Sequence, residues 1–125
     1  MKLVKGKRAI DVTVVEADCV CIPSNAIRAC GGNYHLAAVI SYLAELSLTL
    51  SDQDGWFYQK RKDIAQALVL SEHQVQRLVT AFKSKFPSAI RTKRKKVEGV
   101  PTVHFHIDVA ELEKEMERIL DERNW

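Results

Sequence analysis

KRKDIAQALVLSEHQVQRLVTAFKSK, residues 60–85, is the stretch that decides the fold. From Lys62 to Leu68, Ile64, Ala65 and Leu68 recur at the three- and four-residue steps that gather side chains on one side of an α-helix. Val69 and Leu70 then interrupt the polar pattern. Ser71 stands three residues before Gln74, the spacing of a capping box, in which each side chain accepts the other residue's backbone amide. Beyond it Val75, Leu78, Val79 and Phe82 form a second apolar stripe, leaving Glu72, His73, Gln76, Arg77, Thr80 and Lys83 to point outward. Two short helices joined by a three-residue turn are predicted, the second with a polar outer surface.

Working outward, Pro87 ends the second helix, and Ala89-Ile90-Arg91-Thr92-Lys93-Arg94-Lys95-Lys96-Val97 runs to a turn at Glu98-Gly99-Val100-Pro101. The chain returns through Thr102–Ile107, whose alternation predicts Val103, Phe105 and Ile107 toward the core and the residues between them toward water. A helix pair followed by a basic β-hairpin predicts a winged helix-turn-helix, an α+β fold with a short hairpin wing. Asp108 and Glu111 make a second capping box. It opens an added C-terminal helix with Val109, Leu112, Met116, Ile119 and Leu120 striped along an acidic surface.

On the other side, Ser51–Gly55 is a polar turn leading into Trp56-Phe57-Tyr58, a short strand or apolar anchor. No basic residue interleaves these rings in the sequence, so they read as core rather than as base-stacking groups. Asn33 starts a long helix with Leu36, Val39, Ile40, Leu43, Leu46 and Leu50 on one side, and Ser24 opens a short helix stopped at Gly31-Gly32. Val12–Ile22 is β-branched and ends at Pro23, the pattern of a strand. The expected organisation is a flexible segment over 1–11, the winged domain over 12–108, and the acidic helix over 109–125, packed on the domain or at a dimer interface.

The 125 residues, 46% of them hydrophobic, suffice for one modest core. The net charge of +3 is unevenly placed. Between Trp56 and Gly99 there are eleven basic and three acidic residues, a balance of +8, which leaves eight basic and thirteen acidic residues, −5, elsewhere. Such polarity predicts an anionic partner for the central segment. No apolar run approaches the roughly 20 residues of a membrane span or the core of a signal peptide, so a cytoplasmic protein with no membrane partner and reduced Cys19, Cys21 and Cys30 is expected.

Asp54-Gly55-Trp56-Phe57-Tyr58, Asp63-Ile64-Ala65-Gln66-Ala67-Leu68, Leu70-Ser71 with Gln74-Val75 and Arg77, Val100-Pro101-Thr102 and Ile107-Asp108 together resemble the amino-terminal domains of phage and plasmid replication-initiation proteins and replisome organisers. The resemblance covers roughly residues 20 to 108. It implies a winged helix on double-stranded DNA, in a small transcriptional regulator or accessory replication factor of a mobile element. Members commonly carry glycine before the Leu-Ser of the turn, where this chain has Val69.

For base contacts the candidates are Gln76 and Arg77, matched bidentately to adenine and guanine, then His73 and Thr80. Lys83 and Lys85 on the helix, Arg91, Lys93, Arg94, Lys95 and Lys96 on the hairpin, and Lys60, Arg61 and Lys62 at the first helix are the phosphate candidates. Leu112, Met116, Ile119 and Leu120 offer a homodimer contact, since helix-turn-helix proteins often read paired half-sites. Cys19-x-Cys21, Cys30 and His104-x-His106 are zinc-ligand types, but at a spacing unlike that of structural zinc sites, so no metal or other cofactor is expected. No catalytic motif is present and no enzyme activity is expected. The rival to DNA binding is a non-catalytic winged-helix adaptor whose basic hairpin meets an acidic protein.

Overall fold

Ser71 caps its helix as its spacing requires. Its hydroxyl accepts from the Gln74 amide at 3.1 Å, and the Gln74 side chain accepts from the Ser71 amide at 2.9 Å. The computed structural model describes residues 20–122. Within them lie α1 (Ser24–Ala29), α2 (Tyr34–Leu50), β1 (Trp56–Tyr58), α3 (Arg61–Leu68), α4 (Glu72–Lys85), β2 (Ile90–Val97), β3 (Val100–Ile107) and α5 (Val109–Glu122). The expected strand over 12–22 falls largely outside the described residues, as does the segment 1–11. Residues 20–22 are not in a strand.

Val69, between α3 and α4, has φ 56° and ψ 50°, the left-handed conformation that glycine ordinarily supplies. The amides of Val69 and Leu70 both donate to the Ala65 carbonyl, closing α3 and turning the chain toward Ser71. The turn thus keeps the shape expected of a glycine while carrying a β-branched residue, at a cost of about 1–2 kcal/mol. Val69 is 90% exposed, so little packing offsets that strain.

The strands form one antiparallel sheet in the order β1-β3-β2. β2 and β3 pair from Ile90↔Ile107 to Val97↔Val100 around Glu98-Gly99, both at positive φ, the two-residue type I′ geometry that matches strand twist. β1 pairs with β3 as Trp56↔His106, Phe57↔Phe105 and Tyr58↔His104. Side chains alternate across a sheet, so Phe57, Phe105, Ile107 and Ile90 face the helices, where all four are buried and Phe57 stacks on Phe105 at 5.6 Å. Beneath them Val39, Ile40 and Leu43 of α2, Ile64 of α3, and Val75 and Phe82 of α4 are fully buried, with Phe86 closing the end of α4 at 6.1 Å from Phe82.

α5 is capped by Asp108, whose carboxylate accepts from the Glu111 amide at 3.0 Å, while the Glu111 carboxylate accepts from Ser88 Oγ at 3.5 Å. It packs chiefly on the short helix α1 rather than on the long helix α2. Leu112 is buried. Met116, Ile119 and Leu120 remain half-buried, and Met116 and Leu120 line a groove with Ala44 and the exposed Leu48.

Candidate nucleic-acid interface

α4 turns its buried stripe to the core, and this sets its polar residues along one open groove. On the helix side the groove is lined by Gln76, Thr80 and Lys83, on the hairpin side by Thr92, Lys93 and Arg94, and at its end by Gln59 and Arg61. Val79, Val103 and Phe105 are among its floor residues. Arg61, Lys83 and Arg94 border it and no carboxylate does, while the Lys93 ammonium lies over the Trp56 ring on the other side of the sheet, so an anion entering meets only attraction. The Thr80 hydroxyl donates to the Gln76 carbonyl at 3.0 Å, which spends its proton and leaves its lone pairs to accept from outside.

The predicted residues divide by place. Gln76, Thr80, Lys83, Arg61 and Arg94 come together in the groove, and Lys96 shares the side of β2 that Thr92 and Arg94 occupy. His73 is exposed near the start of α4. Arg77 lies on the far flank of that helix, in a shallow recess with Asn33, His35 and Gln74. Lys60 and Lys62 are exposed at the start of α3. Lys85 is half-buried and near Cys30, away from the groove; burial pushes the Cys30 thiol up, and the Lys85 charge works against that rise. Gln59 and Thr92 were not among the predicted contacts. For Thr92 the signal was its alternation with Ile90 on the inward side of β2.

Arg91 and Lys95 belong to the opposite side of the sheet. With Lys93 they share it with Trp56, Tyr58, His104 and His106, because β3 sets His106 between Arg91 and Trp56, and His104 between Lys93 and Tyr58. This corrects two readings. Only Phe57 of the aromatic triplet is core, with Trp56 half-buried and Tyr58 46% exposed. The polar residues of β3 are also not simply in water, since Thr102 is buried and both histidines are half-covered by rings of β1.

Of the cysteines, Cys21 is exposed, Cys30 is buried in the core, both are free thiols, and Cys19 lies outside the described residues. Among the described residues no cluster of three or more His, Cys, Asp or Glu side chains could hold a metal ion. Nor is any helix there long and apolar enough to cross a membrane.

A helix pair with a left-handed turn between its members, a three-stranded sheet and a projecting hairpin define a winged helix-turn-helix domain of the α+β class. No family model matches the chain, and the search of curated proteins found no relative. Among solved structures, the domain is similar to a possible transcriptional regulator from Methanosarcina mazei Go1, with a TM-score of 0.56. The match covers 80% of this chain and 77% of that one at 14% identity, a likeness of fold.

Proposed function

We propose that this protein is a non-catalytic binder of double-stranded DNA, with α4 in the major groove and the hairpin on the neighbouring backbone. One observation carries the reading: Gln76, Thr80 and Lys83 of α4, Arg61 of α3 and Arg94 of the wing line a single open groove with no carboxylate among its lining residues. A helix about 10–12 Å across fits the major groove, and Gln76 and Thr80 sit where base edges would come within reach. Arg61, Lys83, Arg94 and Lys96 supply phosphate contacts, which set affinity and its salt dependence more than sequence choice. Arg77, on the far flank, serves the next phosphate or base of the same groove.

A winged domain of this kind suits a transcriptional regulator, or an accessory replication factor of a phage or plasmid, as the sequence resemblance suggests. Two copies could pair through Met116, Ile119 and Leu120, beside which Leu48 is 69% exposed. The test is binding of a fluorescent random duplex across a salt series, with the native chain and with Arg94→Ala/Lys96→Ala. The native chain should lose affinity steeply with salt. The double variant should flatten the log–log slope by about 2, since each lost phosphate contact removes about 0.9. No duplex binding at low salt would overturn the reading and favour the protein adaptor.

A further inference from the structure

The outer side of the sheet is built unlike the groove. Its two rungs across the strands each read cation, histidine, aromatic ring: Arg91–His106–Trp56 and Lys93–His104–Tyr58. The rings of each rung are in contact, with centroids 5.3 Å apart in both pairs. The cations lean over the indole, Lys93 Nζ at 4.1 Å and Arg91 Cζ at 5.6 Å from its centre. Lys95 extends the positive edge toward the tip of the hairpin. The acid at this margin is Asp52, and its carboxylate is already occupied by the amides of Asp54 at 2.8 Å and Trp56 at 3.0 Å. The arrangement is therefore held in place as well as charged. Gly55 adjoins it so closely that an added Cβ would lie 2.8 Å from His106 Nε2.

We propose that this side of the sheet binds single-stranded DNA. Unpaired bases would stack on the Trp56–His106 and Tyr58–His104 pairs, with Arg91, Lys93 and Lys95 on the phosphates between them. Cations over the half-buried Trp56 ring are already where a phosphate would draw them off and a base replace them. The spacing selects the ligand. Same-side residues along a strand are about 6.8 Å apart, twice the 3.4 Å step of stacked bases in a duplex, so bases meet successive rungs only when the strand is unpaired and stretched. A duplex also hides the ring faces that this surface would contact. The inference does not depend on the duplex reading, because it uses the opposite side of the hairpin.

The chain has two tryptophans, Trp56 and Trp125, so Trp125→Phe leaves the indole of the platform as the only one reporting. Titrating this protein with an oligothymidylate of about 16 nucleotides should quench Trp56 fluorescence saturably. Tyr58→Ala, at a side chain outside the core, should weaken binding about tenfold, the scale of one base–aromatic stack. Tyr58→Phe should bind as the parent does, since stacking needs the ring and not the hydroxyl. Arg94→Ala/Lys96→Ala should change oligothymidylate binding little while impairing duplex binding. Absence of quenching, or an unaltered affinity in Tyr58→Ala, would overturn the proposal. So would polyglutamate binding as tightly as oligothymidylate, which would make the surface a dock for acidic protein, or tighter binding of oligouridylate, which would make it a site for RNA.

Discussion

The two sides of the β2–β3 hairpin carry the same kind of charge against different company. Toward α4, Thr92 and Arg94 face Gln76, Thr80 and Lys83 across an open groove, and Lys96 follows on the same side of β2. On the other side, Arg91 and Lys93 lie over the Trp56 ring beside the imidazoles of β3, and Lys95 follows on the same side of β2. In the linear chain, RTKRKK over 91–96 reads as one basic run. The pleat sorts it residue by residue into two surfaces, so a substitution acts on one or the other according to whether its number is odd or even. A charge run on a strand is two features, and its partners decide what each can bind.

That comparison can be broken from either side. The largest effect is expected from Gly55→Ala, because a φ of 87° suits no L side chain and the new methyl would press on His106. A loss of about 1–3 kcal/mol in urea denaturation is expected, together with weakened oligothymidylate binding and duplex binding retained at temperatures where the variant is folded. Equal loss of both activities would show that the two sides are not separable. Val69→Gly sharpens the comparison from the helix side. It relieves left-handed strain and adds some unfolded-chain entropy, for a net stabilisation of about 1 kcal/mol, with the outer side of the sheet unaffected. A Tm lower than that of the native chain would refute the strain argument.

The smallest effect is expected from pH. Hydrogen bonds from the backbone, that of Trp56 first, hold the Asp52 carboxyl below its ordinary value, helped by Lys93. Because its folded-state value is lowered, its contribution is fully present above the ordinary carboxylate range. It is lost as pH falls through the depressed value. The urea midpoint should therefore drop less between pH 5 and pH 3 in Asp52→Asn than in the native chain, with the difference confined to that acid range. An identical drop in both proteins would remove Asp52 as the clamp on the Trp56 loop.

Local patterns carried the helix pair well. The stripe Val75 and Phe82, the capping box of Ser71 and Gln74, and the alternation Val103, Phe105, Ile107 each depend on neighbours within a few residues, and each is found in place. What escaped the sequence is set by pairing over long separations. Trp56 meets cations and Tyr58 meets His104 only because β1 adds to β3 some 50 residues later, and a shift of one residue in that register would have turned Phe57 outward instead. Lys85 looked like a phosphate contact because it is basic and late in α4, yet it shares the side of the helix that approaches Cys30. The docking of α5 on α1 likewise follows from where a short, weakly patterned helix settles.

The unequal lengths of the strands have a mechanical consequence. β1 is three residues long and supports β3 only at His104–His106, whereas β2 and β3 run eight residues each to a tight turn. The hairpin is therefore a cantilever, clamped at its root by a third strand and the core, and two strands wide from Arg94 and Val103 to its tip. Two-stranded ribbons twist and bend more readily than wider sheets. Stiffness thus falls along the arm, which keeps the aromatic rungs rigid at the root while Lys95 and Lys96, near its end, can follow the contour of whatever lies beneath them.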